Sequence, residues 1–332
     1  MAQDFLDAPA PERAEGADED ARRRFDRAVS PLRPALHAHC YRMLGSVHDA
    51  DDALQNALLR AWTAFDRFEG RSSLRTWLYT VATRTCLDAA QARGRRALPI
   101  DLGPATTEPT AYAVPDTEIE WLTPYPDPAA SAQRTEHIEL AFVATLQRLS
   151  GNERAALLLV DVLGFSAADA ASAMRTSTAS IHSALARGRR RVAKHNAPPD
   201  QPVQPQPSRA TLALAHRFAE ALATSDLRAF IDLLAPDVTW QMPPLVEWYA
   251  GSDAVAAFAH AVPMTLCPSW RTLVTTANGQ VAVAFYIGEH ADQPHQPWSL
   301  TLLDVTDGAI SGITSFLDPG LFARLDLPSS LG

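Results

Sequence analysis

Lysine is all but missing from this chain: Lys194 stands alone beside 28 arginines in 332 residues. Genomic base composition can produce such a bias, and no function is read from it. Cysteine is also scarce. Cys40, Cys86 and Cys267 lie far apart, which argues against a disulfide framework or a zinc site and fits reduced thiols in a cytoplasm. No run approaches the roughly 20 apolar residues that a membrane span needs. The N-terminus lacks a basic stretch leading into an apolar one, so a cytoplasmic protein without secretory signal or membrane partner is expected. No internal repeat is found. What remains is ordinary globular material: 47% hydrophobic residues can fill real cores, and the length implies two or three domains.

The net charge of −9 hides an uneven distribution. Residues 1–21 carry −6, 22–97 carry +7, 98–135 carry −5, 136–196 carry +3 and 197–332 carry −8. Two basic blocks separated by an acidic stretch point to nucleic-acid contact by those blocks alone. Residues 1–21 read as a disordered acidic tail. Residues 22–97 read as helices. Residues 98–135 hold seven prolines, including "EWLTPYPDP", with no period, and read as a linker. Residues 136–196 are helical again. Residues 197–209 form a Pro/Gln-rich second linker. From 210 to 332 a helix, broken near Ser225-Asp226, precedes strand-like runs such as "QVAVAFYIGEH". Asn278-Gly279 and Asp307-Gly308 fit hairpin turns. This last part reads as α+β with an antiparallel sheet.

Two helices in the first block carry chemistry. In "DADDALQNALLRAW" (49–62) the apolar residues recur at helical spacing. The opposite face carries Asp52, Gln55, Asn56 and Leu59: one carboxylate, two amides and a bare leucine. A face meant only for solvent would carry Lys and Glu, whereas amides around an apolar anchor form a patch that a partner can desolvate. From Ser73 a second core stripe runs through Leu74, Trp77, Leu78, Val81, Ala82, Thr85, Cys86 and Ala89. Trp77 therefore belongs to packing. Opposite lie Thr76, Tyr79, Thr80, Thr83, Arg84, Leu87 and Asp88, followed by Arg93, Arg95 and Arg96.

The segment "GNERAALLLVDVLGFSAADAASAMRTSTASIHSALARGRRRVAK" (151–194) has the layout of a helix-turn-helix. Ser150 with Glu153 and Ser166 with Asp169 fit capping boxes, and Ser177 fits the cap of the last helix. That helix buries Ile181, Ala184, Leu185, Gly188 and Val192. Short hydroxyls at its start with arginines behind suit base edges and phosphates respectively.

Taken together, "RMLGSVHDADDALQNALLRAWTAFDRFEGRSSLRTWLYTVATRTCLDAAQARGRR" resembles region 2 of the sigma-70 family factors of the extracytoplasmic-function type, and 137–194 resembles their region 4. The "WLTPYPD" segment and "MPPLVEWYAGSDAVAAF" (242–258) are similar to a subgroup with a SnoaL-like C-terminal domain, a nuclear-transport-factor-like cone. The resemblance implies a multidomain protein, with two all-α domains (a region 2 bundle and a region 4 helix-turn-helix) and an α+β cone. It implies a sigma factor that directs transcription initiation, not an enzyme, with no cofactor and no metal. Its partners would be core RNA polymerase, through the β′ clamp and β flap, and double- and single-stranded promoter DNA. An anti-sigma partner is not legible.

The resemblance also assigns residues. Asp49, Asp52, Gln55, Asn56, Leu59 and Arg60 would dock on polymerase. The loop Glu69–Ser73 resembles the family's base-capturing loop, so Arg71, Ser72, Ser73, Thr76, Tyr79, Thr80, Thr83, Arg84, Arg93, Arg95 and Arg96 would meet the −10 element. Arg175, Thr176, Ser177, Thr178, Ser180, His182, Ser183, Arg187 and Arg190 would meet the −35 element, with Arg187 as base reader and Arg190 as phosphate holder. The acidic linker either mimics RNA in the polymerase exit channel or is a plain spacer.

The cone offers Trp240, Met242, Trp248, Tyr249, Phe285 and Trp298 as candidates to line a pocket for a small apolar ligand, with Phe218 and Phe316 nearby and Asp237, His260 and His290 as polar partners. The same aromatic set also reads as plain core. Two other functions stay open at this point. A small-molecule enzyme fused to a DNA-binding module lacks a recognisable acid–base pair, and a repressor or activator without polymerase contact has no use for the 49–62 face. The acidic cone would either dock on the basic pair of helical domains and set their placement, or hang independently on its tether.

Overall fold

A computed structural model describes residues 15–70, 72–127, 139–193 and 207–332. Residues 1–14 of the expected tail, Arg71, the end of the first linker and residues 194–206 lie outside it.

The first block is a helical bundle: α1 (Glu15–Val29), α2 (Arg33–Leu44), α3 (Val47–Ala64) and α4 (Leu74–Arg93). Helix α1 begins inside the stretch read as an acidic tail, and Phe25 and Val29 are buried in the bundle core. Glu19 and Asp20 lie in its N-terminal half, where the helix dipole favours carboxylates, and both pair with Arg23. Ser46 and Ser73 cap α3 and α4 by accepting from the amides of Asp49 and Thr76.

The second block contains α5 (Leu140–Gln147), α6 (Gly151–Leu157) with a π-helical extension Leu158–Val162, α7 (Ala167–Ala173) and α8 (Thr178–Ala193). Ser150 and Glu153 form the expected capping box. At Ser166 half of it forms: the hydroxyl accepts from the Asp169 amide and donates to the Asp169 carboxylate.

The last part opens with α9 (Arg209–Ala223) and α10 (Leu227–Ile231). Ser225 breaks them with a φ of 56° and Asp226 caps α10. The strands are β1 (Leu234–Gln241), β2 (Trp248–Ala250), β3 (Ser269–Ala277), β4 (Gln280–Gly288), β5 (Gln296–Thr306) and β6 (Ala309–Phe316); α11 (Ser252–Ala261) precedes β3 and α12 (Gly320–Arg324) follows β6. They form one sheet in the order β2-β1-β6-β5-β4-β3. The expected purely antiparallel sheet is corrected in one place: β1 and β6 run parallel. Both hairpin turns have positive φ at both central residues, 55° and 70° at Asn278-Gly279 and 52° and 81° at Asp307-Gly308, the geometry of a type I′ turn.

The expectation of a loose first linker is corrected as well. Trp121 forms a parallel bridge with Ala97, Pro126 bridges to Ala277 of β3, and Leu122 and Tyr125 are buried. Aromatic and apolar residues within a Pro-rich run gave it surface to bury. Its amides and carbonyls are satisfied on both sides. Thr123 N–H donates to the Gly45 carbonyl (3.1 Å) and its own carbonyl accepts from Tyr41 Oη (2.7 Å). Tyr125 N–H donates to Asn278 Oδ1 (2.7 Å), and Asn278 N–H returns a bond to the Tyr125 carbonyl (2.9 Å). Asn278 Nδ2 then reaches Tyr41 Oη at 3.2 Å. Gly45 closes α2 with a φ of 72°, and a Cβ there would lie 2.9 Å from both Gln147 and Leu122, so glycine is required by conformation and by space.

Buried apolar residues fall into two clusters. One fills the cone between sheet and helices. The other is shared: it runs from α1–α8 into Ala282, Ala284, Tyr286, Leu300, Leu302 and Phe316 on the opposite face of the sheet, and Phe322 of α12. The cone is docked, not strung on a tether.

Asn278→Gly keeps the turn conformation and deletes the amide that joins linker and α2. Lost charge-neutral hydrogen bonds at a buried site cost about 1–3 kcal/mol. We expect a loss of that size in urea unfolding, with the linker becoming sensitive to brief proteolysis; an unchanged midpoint and cleavage pattern would contradict the junction.

Candidate functional site

On α3, Asp52, Gln55, Asn56, Leu59 and Arg60 share an open face, with Leu59 57% exposed. Arg60 is steadied by Asp88 Oδ2 (3.0 Å) and Thr85 Oγ1 (3.3 Å) of α4. Asp49 does not join them. It is buried and ion-paired with Arg96 at 2.6 Å, and it sits in the first turn of α3.

The α4 surface departs further from expectation. Thr76 and Thr80 are half-buried, and Ser72, Ser73 and Arg95 are exposed. Tyr79 and Thr83 are fully buried. Tyr79 lies edge-on to His39 and Phe165, with the Arg75 guanidinium 5.0 Å over its ring. Thr83 Oγ1 bonds His39 Nε2 at 2.9 Å. Burial, then the Arg42 charge, pulls His39 down to about 3 and keeps it neutral. Arg96 is spent on Asp49, Glu120 and the Trp121 carbonyl. Arg84 donates to the carbonyls of Ala173 (2.7 Å) and Ser172 (2.9 Å) at the end of α7. For Tyr79, Thr83 and Arg84 the reason is that α4 packs on α2 and α3 from one side and on α6 and α7 from another, so a helix expected to show one open face is sandwiched; Arg96 lies past the end of α4 and is taken up by α3 and the linker. Arg71 and the Arg93 side chain lie outside the described residues.

The nine residues of the candidate recognition helix and its turn, Arg175 to Arg190, are all exposed. Arg175 takes a φ of 50° in the turn, and Ser177 Oγ accepts from Ser180 N–H. Three arginines of α8 also brace the helix. Arg187 and Arg191 hold Glu153, and Arg189 holds Asp161 at 2.6 Å. Arg190 bonds only the Ala186 carbonyl of its own helix among the described residues. Arg187 is therefore a structural partner as well as a candidate base reader. Burial pushes the Glu153 carboxyl up, but the hydrogen bonds from Arg187 and Ser150 and the Arg191 charge outweigh it, leaving it below the ordinary value.

The aromatic residues of the cone fill it. Tyr249 stacks on Phe258 at 4.4 Å, Trp240 meets Phe258 at 5.1 Å, and Phe285 meets Phe218 and Trp270. Met242 is buried among them. Trp240 Nε1 donates to Ser315 Oγ. Trp248 and Tyr249 hold the linker, through the Gly103 carbonyl and the Thr110 amide. Trp298 is 41% exposed, and Asp237, His260 and His290 are surface residues. The expected pocket lining is thus core, linker contact and surface. Among the described residues no group of three or more His, Cys, Asp or Glu side chains is placed to hold a metal, and no helix is long and apolar enough to cross a membrane.

Sequence reasoning missed the residues that join the parts. Arg324 of α12 donates to Asp51 Oδ2 (2.8 Å) and His48 Nδ1 (2.6 Å) on α3. Buried Arg154 donates to the carbonyls of Met43, Leu146, Gln147 and Leu149, tying α2 to α5 and α6. Burial, then the nearby Arg95 charge, lowers Arg154 to about 10. A lone arginine in an apolar "RAALLL" run was the available signal.

Residues 28–96 match the family described as Sigma-70 region 2, 139–192 match Sigma-70, region 4, and 215–313 match the SnoaL-like domain. The chain is 39% identical over 336 residues to the ECF RNA polymerase sigma factor SigG of Mycobacterium tuberculosis, covering 96% of this chain and 87% of that protein. It is 27% identical over 301 residues to SigJ of the same organism, covering 88% and 91%. The crystal structure of SigJ matches with a TM-score of 0.58 and 25% identity, covering 90% of this chain and 98% of that one.

Because the Glu153 carboxyl lies below its ordinary value, its ionised form stabilises the fold above the unfolded pKa of about 4.3, and that contribution is lost as pH falls through the folded value. Arg187→Ala should lower the melting temperature at neutral pH, with the gap to wild type closing below about pH 4. A pH-independent gap would show that the pair does not carry the effect.

Proposed function

Since the chain belongs to the extracytoplasmic-function RNA polymerase sigma factors, we propose a division of its surfaces in which the open face of α3 binds core polymerase, the α4 side meets the −10 element and α8 meets the −35 element. The docking residues are Asp52, Gln55, Asn56, Leu59 and Arg60, without Asp49. Leu59 carries this assignment: a leucine more than half exposed, one helical turn from two amides, is an apolar anchor that the fold leaves open. On the −10 side we assign Ser72, Ser73, Thr76, Thr80 and Arg95, whose exposed or half-buried placement supports the reading. On α8 the hydroxyls of Thr178, Ser180 and Ser183, with His182, face outward for base edges, Ser177 caps the helix just before them, and Arg190 serves the backbone. The partners are the β′ clamp, the β flap and promoter DNA.

We further propose that this arrangement is a closed state. The −10 and −35 elements are separated by about 25 base pairs, or roughly 85 Å of duplex at 3.4 Å per pair. Here α4 and α7 touch, with Arg84 Nε 2.7 Å from the Ala173 carbonyl. Regions 2 and 4 must part before both elements are engaged. The SnoaL-like domain favours the closed state, because its Asn278 turn grips the linker and Arg324 grips α3. A partner opens the protein only by binding the open form better. The domain acts here as a regulatory clamp.

Leu59→Arg with Gln55→Glu should abolish co-purification with core polymerase while changing stability by no more than about 0.5 kcal/mol, as expected for exposed positions. Retained polymerase binding would overturn the docking assignment.

Arg324→Ala combined with Asn278→Gly should raise run-off transcription on a cognate promoter about three- to tenfold at unchanged affinity for core polymerase. Equal or lower output would contradict a clamp that opposes opening.

A further inference from the structure

An open cavity of about 470 Å³ lies at the seam of the two helical regions, lined by Arg95, Ile100, Asp101, Thr145, Arg148 and Arg191. These residues come from four segments: the stretch after α4, the first turn of the linker, α5 and the end of α8. The volume is in the range of small-ligand sites, which run from about 300 to 1,000 Å³.

The charges in the cavity are arranged with the positive groups outward. Three guanidinium groups face one carboxylate. The side chains of Arg95, Arg191 and Arg148 are 52%, 51% and 27% exposed, whereas Asp101 is 5% exposed beneath them. Asp101 is already occupied: Oδ1 accepts from Arg148 Nε and Oδ2 from the Leu98 amide. Arg95 makes no hydrogen bond among the described residues, and its nearest carboxylate is Asp101 at 3.8 Å. Arg148 commits Nε and Nη2 to Asp101 and leaves Nη1 without a partner among the described residues. Arg191 is held in place by Glu153. The lining also includes Ile100, 37% exposed, whose amide donates to Gln241 Oε1 of the cone. Three guanidinium groups gathered at one recess, with Arg95 and the Arg148 Nη1 edge not used by the fold's own hydrogen bonds among the described residues, suit phosphate oxygens, and an apolar side chain beside them suits a ring or sugar.

We propose that this seam cavity binds a small diphosphate-bearing ligand of nucleotide size, with Arg95, Arg148 and Arg191 on the phosphates and Ile100 against the organic part. Duplex DNA fits less well, because the site is a recess assembled from four segments and not a continuous ridge. Occupancy would hold regions 2 and 4 together and withdraw Arg95 from the −10 side; that consequence rests on the closed-state reading, whereas binding itself does not.

The test is calorimetric titration of the full chain, without polymerase, with inorganic pyrophosphate and with ADP, at low and at physiological salt. Saturable one-to-one binding is expected, weakened at least tenfold by Arg95→Gln, whose side chain bears no hydrogen bond that the fold needs. Arg190→Gln, on the same helix as Arg191 but outside the cavity, should bind like wild type. Melting curves of both variants check that the fold is kept. No saturation at millimolar pyrophosphate or ADP would overturn the proposal, and so would equal losses in the two variants, which would mean diffuse electrostatics. Arg95-dependent binding of a random duplex oligonucleotide without binding of pyrophosphate or ADP would assign the recess to nucleic-acid backbone and equally overturn it.

Discussion

A chain segment rich in proline has few amides to offer, so the ones it has must find partners if it is to be buried. Residues 121–127 meet that constraint by bonding in two directions at once. Toward the helices they use Gly45 and Tyr41, and toward the sheet they use Asn278 and Gly279. Everything else in the arrangement depends on this double satisfaction. It brings the end of α2, the start of region 4 and one edge of the cone to a single point. It also lets one apolar cluster run through all three parts. The same outer face of the sheet is also covered from its own end of the chain, where Phe322 of α12 meets Tyr286 edge-on at 5.0 Å.

The geometry has a direct functional consequence. A protein that reads two promoter elements must reach across more than two turns of duplex, and under the closed-state reading proposed above the contacts that stabilise this compact form oppose that reach. Arg84 is the sharpest case. Its guanidinium satisfies the open carbonyls at the end of α7, a favourable place for a cation, yet the same residue lies on the α4 surface expected to meet DNA. In the proposed scheme closed contact and promoter contact compete for one side chain. The polar character of the Arg324–Asp51–His48 cluster fits a reversible clamp, since exposed ion pairs are worth little individually.

Local signals in the sequence were read well where one residue determines one conformation. The caps at Ser150 and Ser177, the break at Ser225 and both hairpin turns follow from short-range chemistry. Errors arose where a helix has more than one buried side. Periodicity places Tyr79 and Thr83 opposite the core stripe of α4, as in an isolated two-layer packing; His39 of α2 covers both, and Phe165, between α6 and α7, closes over Tyr79. Asp49 and Arg96 looked like surface charges because nothing in sequence shows that they lie 2.6 Å apart across 47 residues. In the cone, spacing located the aromatics, but whether rings enclose a cavity or fill it is a matter of packing that pattern alone does not encode. In the linker, proline content points to a loose spacer, whereas Trp121, Leu122 and Tyr125 give it apolar surface that the fold buries.

The central claim is that regions 2 and 4 touch in the free protein and separate on the promoter. Fluorescent labels at Gln91 on α4 and Ala168 on α7, both exposed, report that separation by single-molecule energy transfer. The account predicts a single high-efficiency population in the free protein and a shift to low efficiency, a separation of several tens of ångströms, when core polymerase and promoter DNA are both present. An unchanged high-efficiency population in a transcription-competent complex would contradict it.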